Sequence, residues 1–262
     1  MAYIDVILPA YNVEKMIGTA IDSILSQTFT DWRLIICDDG SKDNTVDVIK
    51  DYEKKYPHKI VAVQNDENKG ITFTLNRMIS MTKAKYVARM DADDVSRPNR
   101  FKEQVAFLDS NLDYGLVGAN IIKFDEEGIF GSYQYPERPT KMDFLWNSPF
   151  AHPSVMIRKE ILDRVGGYLD KPRTKRCEDF DLWMRLYEAG YKGYNIQKPI
   201  FEYYEGRNSY GKRKFKYRIA EMRTRIYGYH RLGLMPKGAL YAVKPLIVGL
   251  IPKCILAGIR KG

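Results

Sequence analysis

The sequence predicts an α/β fold, a mostly parallel sheet flanked by helices, and three observations carry that expectation. Short apolar runs alternate with amphipathic helical stretches through the first third of the chain, the rhythm of βαβ units. Several of those runs end in clusters of Asp, Gly, Asn and Ser, the turn chemistry expected where strands leave a sheet. The 262 residues are 45% hydrophobic and show no internal repeat or low-complexity linker, enough to bury a full core.

Taken in order, Ile4 to Leu8 reads as the first strand. The helix after it sets Met16, Ile17, Ala20, Ile21, Ile24 and Leu25 on one face. Leu34 to Cys37 is the second strand, and Asp43 to Lys55 a helix with Val46, Ile49 and Tyr52 inward. Ile60 to Val63 is the third strand, and a helix through Leu75, Met78 and Ile79 leads to the buried run Ala84 to Met90. Arg97-Pro98-Asn99 begins the next helix. Beyond residue 110 the rhythm changes. Gly115 to Gly118 and Ile121 to Phe124 read as two short strands, and Glu126-Glu127-Gly128 as a hairpin turn before Ile129 to Tyr135. Met142 to Trp146 reads as a short helical piece and Pro153 to Ile157 as a strand. The helix from Glu178 to Ala189 buries Leu182, Trp183 and Leu186, with Gly190 as its C-cap.

The net charge of +9 is unevenly spread. Residues 206–262 carry 14 Lys/Arg against one acid, Glu221, a local charge of +13; residues 1–205 carry 28 basic and 32 acidic side chains, or −4. The partition that follows is one α/β domain over 1–205 and a basic, amphipathic helical region over 206–262. Cys37, Cys177 and Cys254 are odd in number and widely spaced, which argues against a disulfide framework and a zinc site. The first strand is not preceded by a basic segment and a long apolar one, so no secretory signal is expected and a reduced, cytoplasmic setting follows.

In an open parallel sheet, ligands bind beyond the carboxyl ends of the strands. Three segments lie at such ends: Pro9-Ala10-Tyr11-Asn12, Asp38-Asp39-Gly40-Ser41 and Asp91-Ala92-Asp93-Asp94. Tyr11 suits stacking on a base, or simply the rim of the core. A carboxylate at Asp39 suits a ring N–H or a ribose hydroxyl; a turn and helix cap is the plainer use of Asp38 and Asp39. The three acids at 91, 93 and 94 repel one another unless something cationic holds them, and a divalent metal carrying substrate phosphates does so. A solvated acidic turn feeding the next helix is the alternative. Neither GxGxxG nor GxxxxGK[ST] occurs, so a diphosphate would be neutralised at the acidic cluster.

These segments, with Gln27-Thr28-Phe29, His152-Pro153-Ser154-Val155-Met156 and Glu178-Asp179, occur in an order that resembles family 2 glycosyltransferases of the GT-A fold, over about residues 1–205. The resemblance implies an inverting transferase that uses a nucleotide sugar. It implies that Asp39 contacts the base and that Pro9, Ala10 and Tyr11 complete that pocket. Asp91, Asp93 and Asp94 match the family's DxD region. One or two of them should bind Mn²⁺ or Mg²⁺ bridging the diphosphate, with Asp93 or Asp94 the direct ligand, while another of the three holds the sugar or ribose. Asp179 matches the catalytic base. The chemistry demands one: an acceptor hydroxyl needs a carboxylate at about 2.6–3.2 Å to attack the anomeric carbon. Glu178 competes for that role, and both acids also suit a helix start. His152 reads either as a buried, hydrogen-bonded histidine or as an acceptor or diphosphate contact.

In the basic region, Lys212 to Arg218 begins a helix, and Leu240 to Ile259 is apolar but broken by Lys244, Pro245, Pro252 and Lys253. That defeats a spanning helix of about twenty apolar residues. An interfacial segment fits better, with Leu246, Ile247, Leu250, Ile251, Ile255 and Leu256 at the acyl boundary of an anionic membrane. A helical hairpin packed on the domain, or on a second copy in a homo-oligomer, is the alternative. No nucleic-acid-binding motif accompanies the charge.

The expectation is therefore a cytoplasmic-face, peripheral membrane enzyme. It would move a sugar from a nucleotide, UDP above all, to a saccharide on a lipid carrier or envelope glycan. The rivals are a nucleotidyltransferase, which wants a Gly-rich N-terminal loop that Pro9-Ala10-Tyr11-Asn12 does not supply, and a non-catalytic membrane-docked relative.

Overall fold

Strand β1 (Ile4–Ala10) is buried at all seven positions, because helices cover both faces of the sheet it centres. Its even-numbered residues Ile4, Val6, Leu8 and Ala10 join one core layer, while Ile7 joins the other. The same period of two divides β2 (Trp32–Asp38), with Leu34 and Ile36 on one side and Ile35 and Cys37 on the other. The structure is a computed structural model describing residues 2–206 and 214–250.

The first layer is completed by α1 (Ile17–Leu25), α2 (Thr45–Lys55) and α4 (Arg100–Ser110). The second is built by α3 (Ile71–Met81), α5 (Lys159–Arg164) and α6 (Glu178–Glu188). Of the inward positions expected on α2, Ile49 is buried and Val46 and Tyr52 are half-buried.

The remaining strands are β3 (Ile60–Gln64), β4 (Tyr86–Arg89), β5 (Val95–Ser96), β6 (Tyr114–Asp125), β7 (Gly128–Tyr133), β8 (Met156–Arg158) and β9 (Lys192–Tyr204). Among the described residues they form one sheet in the order β3-β2-β1-β4-β8-β6-β9-β5, with β7 hairpinned onto β6. Pairing is parallel from β3 to β4 and between β6 and β9, and antiparallel where β8 joins β4 to β6. The mixed α/β architecture expected from the sequence is present.

Two local expectations change. Gly118-Ala119-Asn120 looks like a break between short strands, yet β6 runs unbroken for 12 residues. The glycine is there for packing: a Cβ at Gly118 would lie 2.4 Å from Asn195 Oδ1 on β9. The strand expected from Pro153 begins only at Met156, because His152–Ser154 forms a 3₁₀ turn pinned by Ser154 Oγ donating to Ala151 O at 2.9 Å.

The basic region contributes α7 (Phe215–Arg231), α8 (Gly238–Ala242) and α9 (Lys244–Leu250). Helix α7 lies on α6, on the turn Pro172–Thr174 before it and on the turn Lys141–Leu145: Tyr229 Oη donates to Phe144 O at 2.8 Å, and Arg225 Nη1 to Leu145 O at 3.2 Å. Tyr229, Leu232 and Ala242 belong to the second core layer. Lys212 and Arg213, and the apolar positions Ile251, Ile255 and Leu256, lie outside the described residues. Among the described residues no helix is long and apolar enough to cross a membrane.

Candidate active site

The loops after β1 and β2 are tied to each other before they meet any ligand. Asn12 sits at φ 52°, a left-handed conformation that Asn tolerates, and its Oδ1 accepts from Lys42 N at 2.8 Å. Its own N–H donates to Ser41 Oγ at 2.9 Å. The neighbouring aspartates then divide the work. Asp38 Oδ2 accepts from Gly40 N and Ser41 N at 3.1 and 3.0 Å, closing the turn. Gly40 is required there: its φ is +75°, and a Cβ would fall 2.6 Å from the Glu67 backbone.

Asp39 points the other way, into a cleft of about 520 Å³ that it lines with Pro9, Ala10, Tyr11, Gly70 and Asp91. Its Oδ1 accepts from Asn65 Nδ2 and Lys69 N at 2.7 and 2.9 Å, and its Oδ2 from Gly70 N at 2.8 Å. The carboxylate is thus fixed in position, and Tyr11 is an exposed rim residue rather than core.

At the end of β4, oxygens of Asp91, Asp93 and Asp94 all lie within 4.8 Å of one another. Asp94 is buried; its Oδ1 accepts from Tyr204 N at 2.8 Å and its Oδ2 has no partner among the described residues. Burial and the neighbouring carboxylates raise Asp94 well above the usual range, and burial with Asp91 pushes Asp93 up to about 6. Mutual repulsion and an orphaned buried oxygen are what a divalent cation relieves, so these residues fit one.

Arg89 partly balances the cluster by pairing with Asp91; it is buried, and its Nε and Nη1 have no partner among the described residues. Sequence reasoning passed over Arg89. Its signal was there: a lone cation closing the apolar strand Tyr86-Val87-Ala88-Arg89.

Two further residues hold this strand end in place. Gln27 Nε2 donates to Arg97 O at 2.8 Å and to Ser23 O at 3.1 Å, while its Oε1 accepts from Phe101 N, tying α1 to the segment after the acids. Buried Arg100 donates to Arg89 O at 2.7 Å and Pro153 O at 3.2 Å, and burial lowers its pKa to about 9.

Glu178 and Asp179 open α6 after the N-cap residue Cys177, which follows Arg176 in the left-handed region at φ 65°. Asp179 lines a second cleft, of about 550 Å³, together with Arg89, Asp91 and His152. Asp91, Arg176 and Glu178 line both clefts, so the two adjoin at those residues. His152 Nε2 is 2.7 Å from Tyr168 Oη; burial, then Arg89, lowers its pKa well below the usual value and leaves it neutral. Tyr217 of α7 also reaches the first cleft, a contribution the sequence did not signal.

Glu178 is 8% exposed, its Oε2 has no partner among the described residues, and burial with Asp179 pushes its pKa up to about 7. A carboxyl raised on folding destabilises the folded state as pH climbs from its unfolded value toward 7. Glu178→Gln is therefore expected to stabilise the protein by about 3 kcal/mol at pH 8 and by nothing below pH 4. Chemical denaturation at both pH values checks this; an equal gain at both would refute it.

The profile described as Glycosyl transferase family 2 matches residues 5–166, and that of Glycosyl transferase family group 2 matches residues 86–258. The chain is 36% identical over 253 residues to the glycosyltransferase EpsE of Bacillus subtilis (strain 168), covering 97% of this chain and 91% of that protein. The chain belongs to glycosyl transferase family 2. Among other relatives of this family 2 glycosyltransferase is WfaP of Escherichia coli, a UDP-Glc:alpha-D-GlcNAc-diphosphoundecaprenol beta-1,3-glucosyltransferase. It is 27% identical over 244 residues, with 88% and 90% of the two chains covered. Among solved structures, S. aureus TarS 1–349 in complex with UDP-GlcNAc superposes with a TM-score of 0.72 at 17% identity, covering 100% of this chain and 79% of TarS 1–349. That likeness establishes the GT-A fold.

Proposed function

We propose that this glycosyltransferase moves a hexose or N-acetylhexosamine from a UDP-sugar to a saccharide acceptor with inversion. The acceptor is carried on a lipid at the cytoplasmic face of the membrane, in the assembly of a cell-envelope polysaccharide. The observation that carries the reading is the junction of two clefts at Asp91, Arg176 and Glu178: Asp39 lines the first cleft alone, Asp179 the second alone, and Asp91 at the junction is clustered with Asp93 and Asp94. The printed substrates of WfaP and the UDP-GlcNAc bound to TarS support the donor, and the WfaP acceptor supports the lipid linkage.

In this scheme the first cleft takes the nucleotide. Asp39 accepts from the base N–H, and Pro9, Ala10 and Tyr11 flank it. Asp93 and Asp94 would hold Mn²⁺ or Mg²⁺, and Asp91, paired with Arg89, orients the sugar or ribose. A divalent cation bound there offsets the diphosphate charge that grows as the leaving group departs. The acceptor enters the second cleft, where Asp179 takes the proton of its hydroxyl as the oxygen bonds to the anomeric carbon and the bond to UDP breaks. A single displacement inverts the centre; UDP leaves, and Asp179 returns its proton to solvent.

Thermal-shift binding of UDP, GDP, CDP and dTDP, with and without Mn²⁺, tests the donor site. UDP at about 100-fold over its Kd should raise Tm by about 5–10 °C, with a smaller rise when Mn²⁺ is withheld. Release of pyrophosphate instead of UDP on turnover would convert the reading to a nucleotidyltransferase. No shift with any nucleotide would overturn it.

A further inference from the structure

Helices α8 and α9 are apolar on two opposite sides, and only one of them is covered. Gly238, Ala242 and Pro245 are buried, and a Cβ at Gly238 would lie 2.8 Å from the Tyr229 ring. Away from that contact, Leu240, Val243, Ile247 and Leu250 recur at helical spacings of three and four, and three of them are 80%, 58% and 76% exposed (Leu240, Ile247, Leu250). A helix that packs on a domain by one face normally shows water a polar one.

Trp146, 63% exposed, extends this patch: its ring lies 5.9 Å from that of Tyr241, and Lys244 Nζ sits 4.3 Å from its centroid. Lys244 Nζ also donates to Trp146 O at 2.8 Å and Asn147 Oδ1 at 3.2 Å. Asn147 and Ser148 line the cleft that holds Asp179. The exposed apolar patch therefore runs up to the lip of the second cleft.

We propose that this face, Trp146 with Leu240, Val243, Ile247 and Leu250, docks on an anionic bilayer and turns the Asp179 cleft toward acceptors embedded in it, an inference that rests on the glycosyl-transfer reading above. Charge selects the occupant. Residues 206–262 carry +13, a charge that attracts an anionic surface, and Lys237 and Lys244 at the edge of the patch oppose a second copy approaching by the same face. Aromatic and aliphatic side chains bordered by Lys237 and Lys244 are the composition of a segment that lies in the headgroup boundary, with the exposed Lys237 free to reach phosphate.

The test is cosedimentation of the full chain with vesicles of phosphatidylcholine alone, and of phosphatidylcholine mixed with an equal part of phosphatidylglycerol. The comparison is a triple variant, Leu240→Gln, Ile247→Gln and Leu250→Gln; all three side chains are exposed, so the fold is retained. The wild type should bind the anionic vesicles, weaken as salt is raised, and bind at least tenfold more tightly than the variant. Transfer to a water-soluble saccharide acceptor should be equal in the two proteins.

Absence of wild-type binding, or equal binding by the variant, overturns docking and leaves the transferase reading intact. Concentration-dependent dimerisation that the variant abolishes, without vesicle binding, also overturns it. Vesicle binding by a protein that hydrolyses or transfers no nucleotide sugar supports the docking face and refutes the transferase reading alone.

Discussion

Asp179→Asn is expected to lower kcat by about 100- to 10,000-fold, the range that positioned proton transfer supplies. The carboxamide keeps the shape and loses the proton acceptor. Donor binding should be unchanged, because Asp179 lines the second cleft and the nucleotide residues Pro9, Ala10, Tyr11 and Asp39 line the first. Titration calorimetry with UDP and Mn²⁺ should therefore give the wild-type Kd while turnover collapses. Glu178→Gln is the internal control. Its pKa, pushed up to about 7, suits a general base as well, so position makes the distinction: Glu178 lies at the junction of the two clefts and Asp179 in the second alone, and loss of Glu178 should cost activity far less. The opposite ranking would transfer the base role to Glu178. Activity of Asp179→Asn within tenfold of wild type would remove the single-displacement scheme from this cleft.

The contrast between Asp38 and Asp39 shows how far the sequence alone reaches. Both close the same strand, and their types say only that a turn, a cap or a ligand is nearby. Which one faces the cleft is decided by Asn65, Lys69 and Gly70, brought to Asp39 from beyond β3. The parallel half of the fold was legible because its strands are buried on both faces and punctuated by turn residues. The unbroken β6 was not, since Gly118 reads as a breaker until Asn195 is seen to occupy the space of its missing side chain.

Helix α7 misleads for a related reason. Its composition is that of a solvated basic helix, yet Thr224, Arg225, Gly228 and Tyr229 are buried. Arg225 pairs with Glu221 one turn away, which the spacing allows, but it also lies 5.0 Å from the Phe180 ring and donates to Leu145 O, partners no local pattern reveals. Arg89 escaped notice likewise: its significance lies in Asp91, Asp94 and His152 gathering around it, not in the strand that carries it.

Asp93→Asn should separate binding from stability. In the apo protein the substitution removes one of three crowded carboxylates, and burial with Asp91 already pushes the Asp93 pKa up to about 6. A group raised in this way destabilises the folded state at pH values above its unfolded pKa, so at pH 7.5 and without metal the variant should melt at or above the wild-type temperature. Its affinity for Mn²⁺ should fall by at least about 100-fold, more than loss of an outer-shell partner costs, because a ligand has gone. The Mn²⁺-dependent part of the UDP thermal shift should vanish with it, and chelation with EDTA should bring the wild type to the same UDP affinity. A purely structural acidic turn predicts the reverse: a lower apo melting temperature, and UDP binding indifferent to metal in both proteins. Retention of the Mn²⁺-dependent shift in Asp93→Asn, with loss in Asp94→Asn, would instead place the cation on the unpartnered Oδ2 of Asp94. The amide oxygen introduced by the Asp94→Asn substitution would still accept from Tyr204 N, so that variant can be read without losing the hydrogen bond that seats the side chain.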